Sequence, residues 1–122
     1  MQITQQQAKA LELSQPMKRI LEYVLTRAED EFKVPITLEF VQRSSNRAIF
    51  VEARAWVAVA LMTAGEDMFT VHDICRILNL QARKSVSAML HKGRRKWHRL
   101  YWNGFAVRWN ADRPFVLGRI AA

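Results

Sequence analysis

The segment Thr70–Trp97, TVHDICRILNLQARKSVSAMLHKGRRKW, decides the fold that the sequence predicts. Thr70 and Asp73 have the spacing of a capping box, with aspartate in place of the usual Glu or Gln, so a helix should begin directly after Thr70. Its apolar residues recur over two turns, Asn79 suits a left-handed termination, and a longer helix is predicted over residues 83–97. Two turns of helix, a short connection and a longer helix form the layout of a helix-turn-helix.

The longer helix has one apolar side and one polar side. The inward residues are Val86, Met89, Leu90, Gly93 and Trp97. The opposite side carries Lys84, Ala88, His91 and Arg95, with Ser87 at its edge. No acidic residue occurs in the helix, whereas a helix that serves only solubility usually mixes Asp and Glu with its cations. We therefore interpret helix 83–97 as a recognition helix for the major groove of DNA.

Positive charge is concentrated in the last third of the chain. Residues 1–82 contain nine Lys/Arg and ten Asp/Glu, whereas residues 83–122 contain ten Lys/Arg and one acid, so their net charges are −1 and +9. Such asymmetry favours a polyanionic partner. A solvated basic face is the alternative. Binding to a membrane surface is less well supported, because the apolar sides of the helices are needed to form the core.

The residues before Thr70 predict further helices. An apolar stripe indicates a helix from Met17 to Phe32, with Pro16 just before its first turn. Residues 36–41 read as a short helix. Residues 48–64 form a long helix that ends at Gly65 and is apolar nearly all round, which places it in the centre of a bundle.

The C-terminal residues predict a β-hairpin. Asn103-Gly104 is a strong cue for a type I′ turn between strands 98–102 and 105–109. One face of this hairpin would be apolar, and the other would carry Arg99 and Arg108. A basic ribbon directly after a recognition helix suggests a wing on DNA, while a flap over the core or a dimerisation surface is an equal alternative.

Several short motifs between Met17 and Trp97 follow the pattern of one known family. They are Phe32-Lys33-Val34, Ala58-Val59-Ala60-Leu61, Ile74, Leu78 and Lys84-Ser85-Val86. On these motifs the stretch resembles the C-terminal DNA-binding domain of the bacterial replication initiator DnaA, which is helical and contains a helix-turn-helix. The resemblance implies that Arg43 and Arg47 lie in a basic loop whose arginine enters the minor groove. The family pattern is not kept at Gln81-Ala82-Arg83, Arg54-Ala55 and Ser44-Ser45-Asn46. The resemblance therefore implies a shared scaffold with a different target sequence.

The sequence contains no catalytic constellation, so no enzymatic activity and no cofactor are expected. His72 and Cys75 are half of a zinc site at most, and the single cysteine reads as a buried structural residue. No run of 18 apolar residues and no signal-peptide pattern occurs. A cytoplasmic, nucleoid-associated protein is the resulting expectation.

Together these patterns predict one domain over residues 1–122: a mainly α bundle of four to five helices with a helix-turn-helix core at 17–97, then a basic, wing-like hairpin and tail at 98–122. The predicted function is sequence-specific binding of double-stranded DNA by a bacterial or phage transcriptional regulator. An adaptor that docks on replication or transcription machinery through the aromatic hairpin is the alternative, and structured RNA is disfavoured. RNA polymerase, another regulatory protein and a second copy of the chain remain open as partners. The residues predicted to contact DNA are Arg43, Arg47, Gln81, Arg83, Lys84, Ser85, Ser87, His91, Lys92, Arg94, Arg95, Arg99 and Arg108.

Overall fold

The structure, a computed structural model, describes residues 3–65, 68–80, 83–96 and 99–121, without the side chains of 83–85, 94, 99–100 and 119–121. Within these ranges the chain forms seven helices and no β-strand. The helices are α1 (Gln5–Ala10), α2 (Gln15–Phe32), α3 (Leu38–Gln42), α4 (Ala48–Ala64), α5 (Val71–Ile77), α6 (Arg83–Lys96) and α7 (Arg99–Ala121). None of the described helices is both long and apolar enough to cross a membrane.

Helix α4 lies at the centre of the bundle, as its almost uniformly apolar sequence predicts. The nine side chains from Ala53 to Leu61 are all buried. Helices α2, α3, α6 and α7 all contact α4. These four helices are therefore arranged around one central element.

The corner between α5 and α6 agrees with the sequence prediction as far as residue 80. The Thr70 hydroxyl accepts a hydrogen bond from the Asp73 backbone N–H at 3.1 Å, and the Asp73 carboxylate accepts one from the Thr70 N–H at 2.9 Å, which completes the predicted capping box. Asn79 has a φ of 56°, the left-handed conformation expected at that position. Helices α5 and α6 contact each other. Gln81 and Ala82, which complete the turn, lie outside the described residues.

The predicted C-terminal β-hairpin is wrong, because residues 99–121 form the single helix α7. The hairpin cue was Asn103-Gly104, but no described glycine has a positive φ, which a type I′ turn requires. The apolar spacing over the whole segment is helical, with the buried residues Trp102, Phe105 and Trp109 three and four positions apart. Val107, which the hairpin would place beside Phe105, is 70% exposed.

Helix α7 is held against the bundle by aromatic packing and two tyrosine hydrogen bonds. The indole N–H of Trp56 on α4 donates to the Tyr101 hydroxyl at 2.8 Å. The Tyr23 hydroxyl on α2 donates to the Asp112 carboxylate, also at 2.8 Å. The Trp56 ring lies 5.7 Å from that of Trp102, within the range of aromatic pairs. These contacts join α2, α4 and α7 into one core.

Replacing Gly104 by Ala is expected to raise the free energy of unfolding by about 0.5–1 kcal/mol, because Ala is favoured over Gly inside a helix. A Cβ at this position would meet no heavy atom within 4 Å, so no clash offsets the gain. In a type I′ hairpin Gly104 would need a positive φ, and the same change would destabilise the protein. Urea denaturation of the two proteins distinguishes these results, and a loss of stability would contradict α7.

The two tyrosines are expected to titrate far above their ordinary pKa. Burial and contact with Asp112 raise the pKa of Tyr23 to about 12, and burial, with a hydrogen bond to Glu31, raises that of Tyr101 to about 12. Both pKa values are above the unfolded value of about 10, so the associated stabilisation is complete below pH 10 and is lost as the pH rises from about 10 to 12. At about pH 11 roughly a tenth of the tyrosines should be ionised in the folded protein, against roughly nine-tenths in the unfolded chain.

The near-ultraviolet absorbance of tyrosinate, recorded with and without urea, measures this difference. Tyr23→Phe leaves Tyr101 as the one remaining tyrosine and assigns the two titrations. Coinciding curves from a folded and an unfolded sample would show that α7 does not cover these hydroxyl groups.

Candidate nucleic-acid interface

Helix α6 packs against the bundle with one side and exposes the other side to solvent. Val86, Leu90 and Gly93 are buried, which confirms the predicted inward side for these residues. The exposed side chains described on the helix are those of Ser87, Ala88, His91, Lys92, Arg95 and Lys96. A short hydroxyl, an imidazole and three cations therefore face away from the core along more than two turns.

Several residues predicted to contact DNA cannot be placed in this way. Gln81 lies outside the described residues. Arg83, Lys84, Ser85 and Arg94 belong to α6 and Arg99 begins α7, but their side chains are outside the description. Their contacts with DNA stay predictions.

The basic loop 43–47 connects α3 to α4 and exposes both arginines that the sequence assigns to it. The Arg43 guanidinium carbon lies 5.7 Å from the centre of the Phe50 ring, within reach of a cation–π contact. Phe50 in turn stacks on Phe40 at 4.4 Å, so α3 and α4 share the aromatic pair that supports Arg43. Arg47 is the N-cap of α4 and makes no side-chain capping hydrogen bond.

Arg54 fixes the backbone of this loop from inside the protein. Its side chain is 8% exposed, and its guanidinium donates to the carbonyl oxygen of Arg43 and, at 2.8 Å, to that of Ser45. Burial lowers the pKa of Arg54, but a guanidinium remains charged at neutral pH. The central helix therefore holds the loop by charge-assisted hydrogen bonds, which are stronger than those between neutral groups.

The role of Arg54 was not predicted from the sequence, in which this residue marks only a departure from the family pattern. The signal was the position of a single cation within the buried run from Ala53 to Leu61. A buried charge needs hydrogen-bonding partners, and an arginine can supply several donors in a planar arrangement. The residues next to Arg54 in the sequence do not indicate which groups accept those hydrogen bonds.

A groove of about 480 Å³ joins the loop to α6. Asn46, Ala48 and Val51 line it on one side, and Lys92 and Lys96 belong to the α6 residues that line the other. Lys96 also forms an ion pair across the groove with Glu52. The groove shows that the end of the basic loop and one flank of α6 open on the same side of the protein.

Arg108 does not form part of a wing. It lies on α7, where its Nε is 3.8 Å from an Asp112 oxygen. Asp112 also accepts the hydrogen bond from Tyr23, so Arg108 lies beside the contact between α7 and α2. Its predicted place on a ribbon after the recognition helix is therefore wrong, because the ribbon does not exist.

The described residues show no group that could hold a metal ion. Within this part of the chain no three His, Cys, Asp or Glu side chains form a ligand cluster. Cys75 is 7% exposed and belongs to the core, whereas His72 on the same helix is exposed.

Comparison with family models, with curated proteins and with solved structures found no match to this chain. The resemblance to the initiator domain therefore stays a prediction, and the arguments for function come from the chain's own residues.

Replacing Arg54 by Met is expected to lower the free energy of unfolding by about 1–3 kcal/mol, because two loop carbonyls lose a charged donor. Trypsin should also cleave faster after Arg43 and Arg47, since the loop backbone is no longer held. The matched control is Arg95→Met, an exposed position where the stability change should stay within about 0.5 kcal/mol. Urea denaturation and a time course of limited proteolysis measure the two effects. Unchanged cleavage of the loop would show that Arg54 does not position it.

Proposed function

We propose that the chain binds double-stranded DNA in a sequence-specific manner, with α6 in the major groove and the loop 43–47 at the minor groove or the backbone. The observation that carries the proposal is the exposed side of α6, which presents Ser87, His91 and Arg95 from a helix that follows the α5 corner. In a helix-turn-helix the second helix supplies the side chains that reach base edges. Serine and histidine can hydrogen-bond to those edges, while arginine can also contact phosphate.

The charge of α6 supports a polyanionic partner. Six of its 14 residues are Lys or Arg and none is acidic. Residues 83–122 as a whole carry a net charge of +9, and this does not depend on whether they form a hairpin or a helix. Phosphate neutralisation by such a surface supplies most of the affinity of proteins for DNA of any sequence.

The start of α4 adds a second feature that suits phosphate. It has neither a capping side chain nor an acidic residue in its first turn. The first N–H groups of a helix and its dipole favour an anion at that end. Arg43 and Arg47 precede this end directly, and the groove beside Ala48 leads to Lys92 on α6. The DNA backbone between the major and the minor groove would therefore meet cations from both the loop 43–47 and α6.

The alternative of an adaptor protein loses the surface on which it rested. Its proposed docking element was an aromatic hairpin, but Trp102, Phe105 and Trp109 are all less than 10% exposed. These three side chains therefore cannot serve as the exposed anchor that the hairpin was expected to provide. A DNA-binding role, as in bacterial or phage transcriptional regulators found on the nucleoid, is the function that we propose.

Affinity for a duplex is expected to fall steeply with salt. If about six phosphates are contacted, a plot of log affinity against log salt concentration should have a slope near −5. The experiment first selects bound fragments from a random duplex pool and then titrates the selected site and a scrambled duplex by fluorescence anisotropy. A structured RNA of equal length serves as competitor. A flat salt response would overturn the proposal, and stronger binding to the RNA would replace DNA as the partner.

Two variants of α6 separate base reading from phosphate contact in the same titrations. His91→Ala should reduce the preference for the selected site over the scrambled duplex by roughly 5- to 150-fold, which corresponds to about 1–3 kcal/mol. Arg95→Ala should weaken both duplexes alike and reduce the salt slope by about one. If His91→Ala lowers both affinities by the same factor, α6 does not read the sequence at that position.

A further inference from the structure

Helix α7 exposes large apolar side chains on the side opposite to the core. Phe115 is 87% exposed and Val107 is 70% exposed. Each is more exposed than Val34 and Val51, the other two large hydrophobic side chains that are exposed among the described residues, at 37% and 42%. Isolated exposed apolar residues are normal on protein surfaces, but a continuous apolar face indicates a binding surface.

These two residues belong to a continuous face. Gly104, Val107, Ala111, Phe115 and Gly118 recur at intervals of three and four residues and are all exposed, and Pro114 lies beside them. We call this set the outer face of α7. It contains no charged residue, although the whole chain has a net charge of +8. A Cβ placed at either glycine would meet nothing within 4 Å, so the space above the face is open.

The spacing of the outer face is compatible with a surface that pairs with itself. From Gly104 to Gly118 the steps are three, four, four and three residues, a palindrome centred on Ala111. A two-fold axis perpendicular to a helix reverses the direction of its copy and pairs positions that are equally far from the axis. With the axis at Ala111, each glycine would face a glycine and each Phe115 would face a valine.

We infer that the outer face of α7 binds a second copy of this chain as an antiparallel helix pair, with Ala111 at the two-fold axis and Phe115 packed on Val107 of the partner subunit. The small residues let the two backbones approach closely. The bulky residues fill the space on either side of them. Such an interface is isologous and closes at two copies.

The area of the outer face suits a second copy, and its lack of charge permits one. Two chains of like net charge repel each other, and pairing through the outer face adds no cation of its own to that repulsion. Arg108, beside the face, is already paired with Asp112 of its own chain. Burial of the two Phe115 rings alone removes roughly 300–500 Å². With Val107, Pro114 and the backbones between them the total approaches roughly 1,000 Å², the size of a weak specific interface.

The proposal predicts reversible dimers with a dissociation constant on the order of 10 µM, since small interfaces give weak association. Sedimentation of the full chain without DNA, over about 1–300 µM, measures this, so the result does not depend on the proposed function. Ala111→Arg places two like charges on the axis and should weaken dimerisation at least about tenfold. The matched control is Asn110→Arg, which adds the same charge on another side of α7 and should leave the dimer intact.

A crosslinking experiment tests the register. In a Cys75→Ser background, Ala111→Cys should form a disulfide-linked dimer on mild oxidation, because residues at the axis meet their own copies within the distance that a disulfide needs. Asn110→Cys should not form this dimer. A monomer at every concentration, a dimer that tolerates Ala111→Arg, or equal crosslinking of the two cysteine variants would each overturn the proposal. Circular dichroism confirms that each variant is folded.

Discussion

The burial of Trp56 is the interaction on which the rest of the structure depends. Its side chain is 1% exposed at the middle of α4, and aromatic residues of two other helices, α2 and α7, surround it. Phe32 of α2 meets it edge-on at 6.4 Å, and Phe105 of α7 does so at 5.7 Å. Its indole N–H is satisfied by Tyr101, which removes the cost of burying an unpaired donor. The large apolar area of this one side chain therefore draws the first and last long helices onto the central helix.

The same central helix positions both halves of the candidate interface. Arg54 holds the backbone of the basic loop from within α4, and Val51 and Ala55, on the same helix, line the groove against α6. A shift of α4 would move the loop and α6 together. A buried guanidinium is expensive for stability, because it loses its hydration. What it supplies here is a loop whose backbone is ordered before any ligand arrives, so that less conformational entropy is lost on binding.

The elements that the sequence predicted correctly are those whose signals are local and periodic. Helix α4 was placed at Ala48–Ala64 from its apolar run and the following glycine, and the capping box located the start of α5. The sides of α6 followed from spacing alone. Helix α1 was missed because six residues are too few to show a period, although its Thr4–Gln7 capping box is of the same kind. The hydrogen bonds of Arg54 were beyond local reasoning, since their acceptors lie nine and eleven residues away along the chain.

The error at α7 has a physical cause that also bears on its outer face. An ordinary surface helix has one apolar side, and its sequence then shows a single helical period. Helix α7 is apolar on two opposite sides, with Trp102, Phe105 and Trp109 in the core and Val107 and Phe115 exposed. The two patterns interleave, and over a few residues around Asn103-Gly104 their sum resembles the alternation of a β-strand. A helix that packs on its own domain with one side and on a second copy with the other needs such a doubled pattern. The feature that misled the sequence analysis is therefore the one that a helix with two partners would carry.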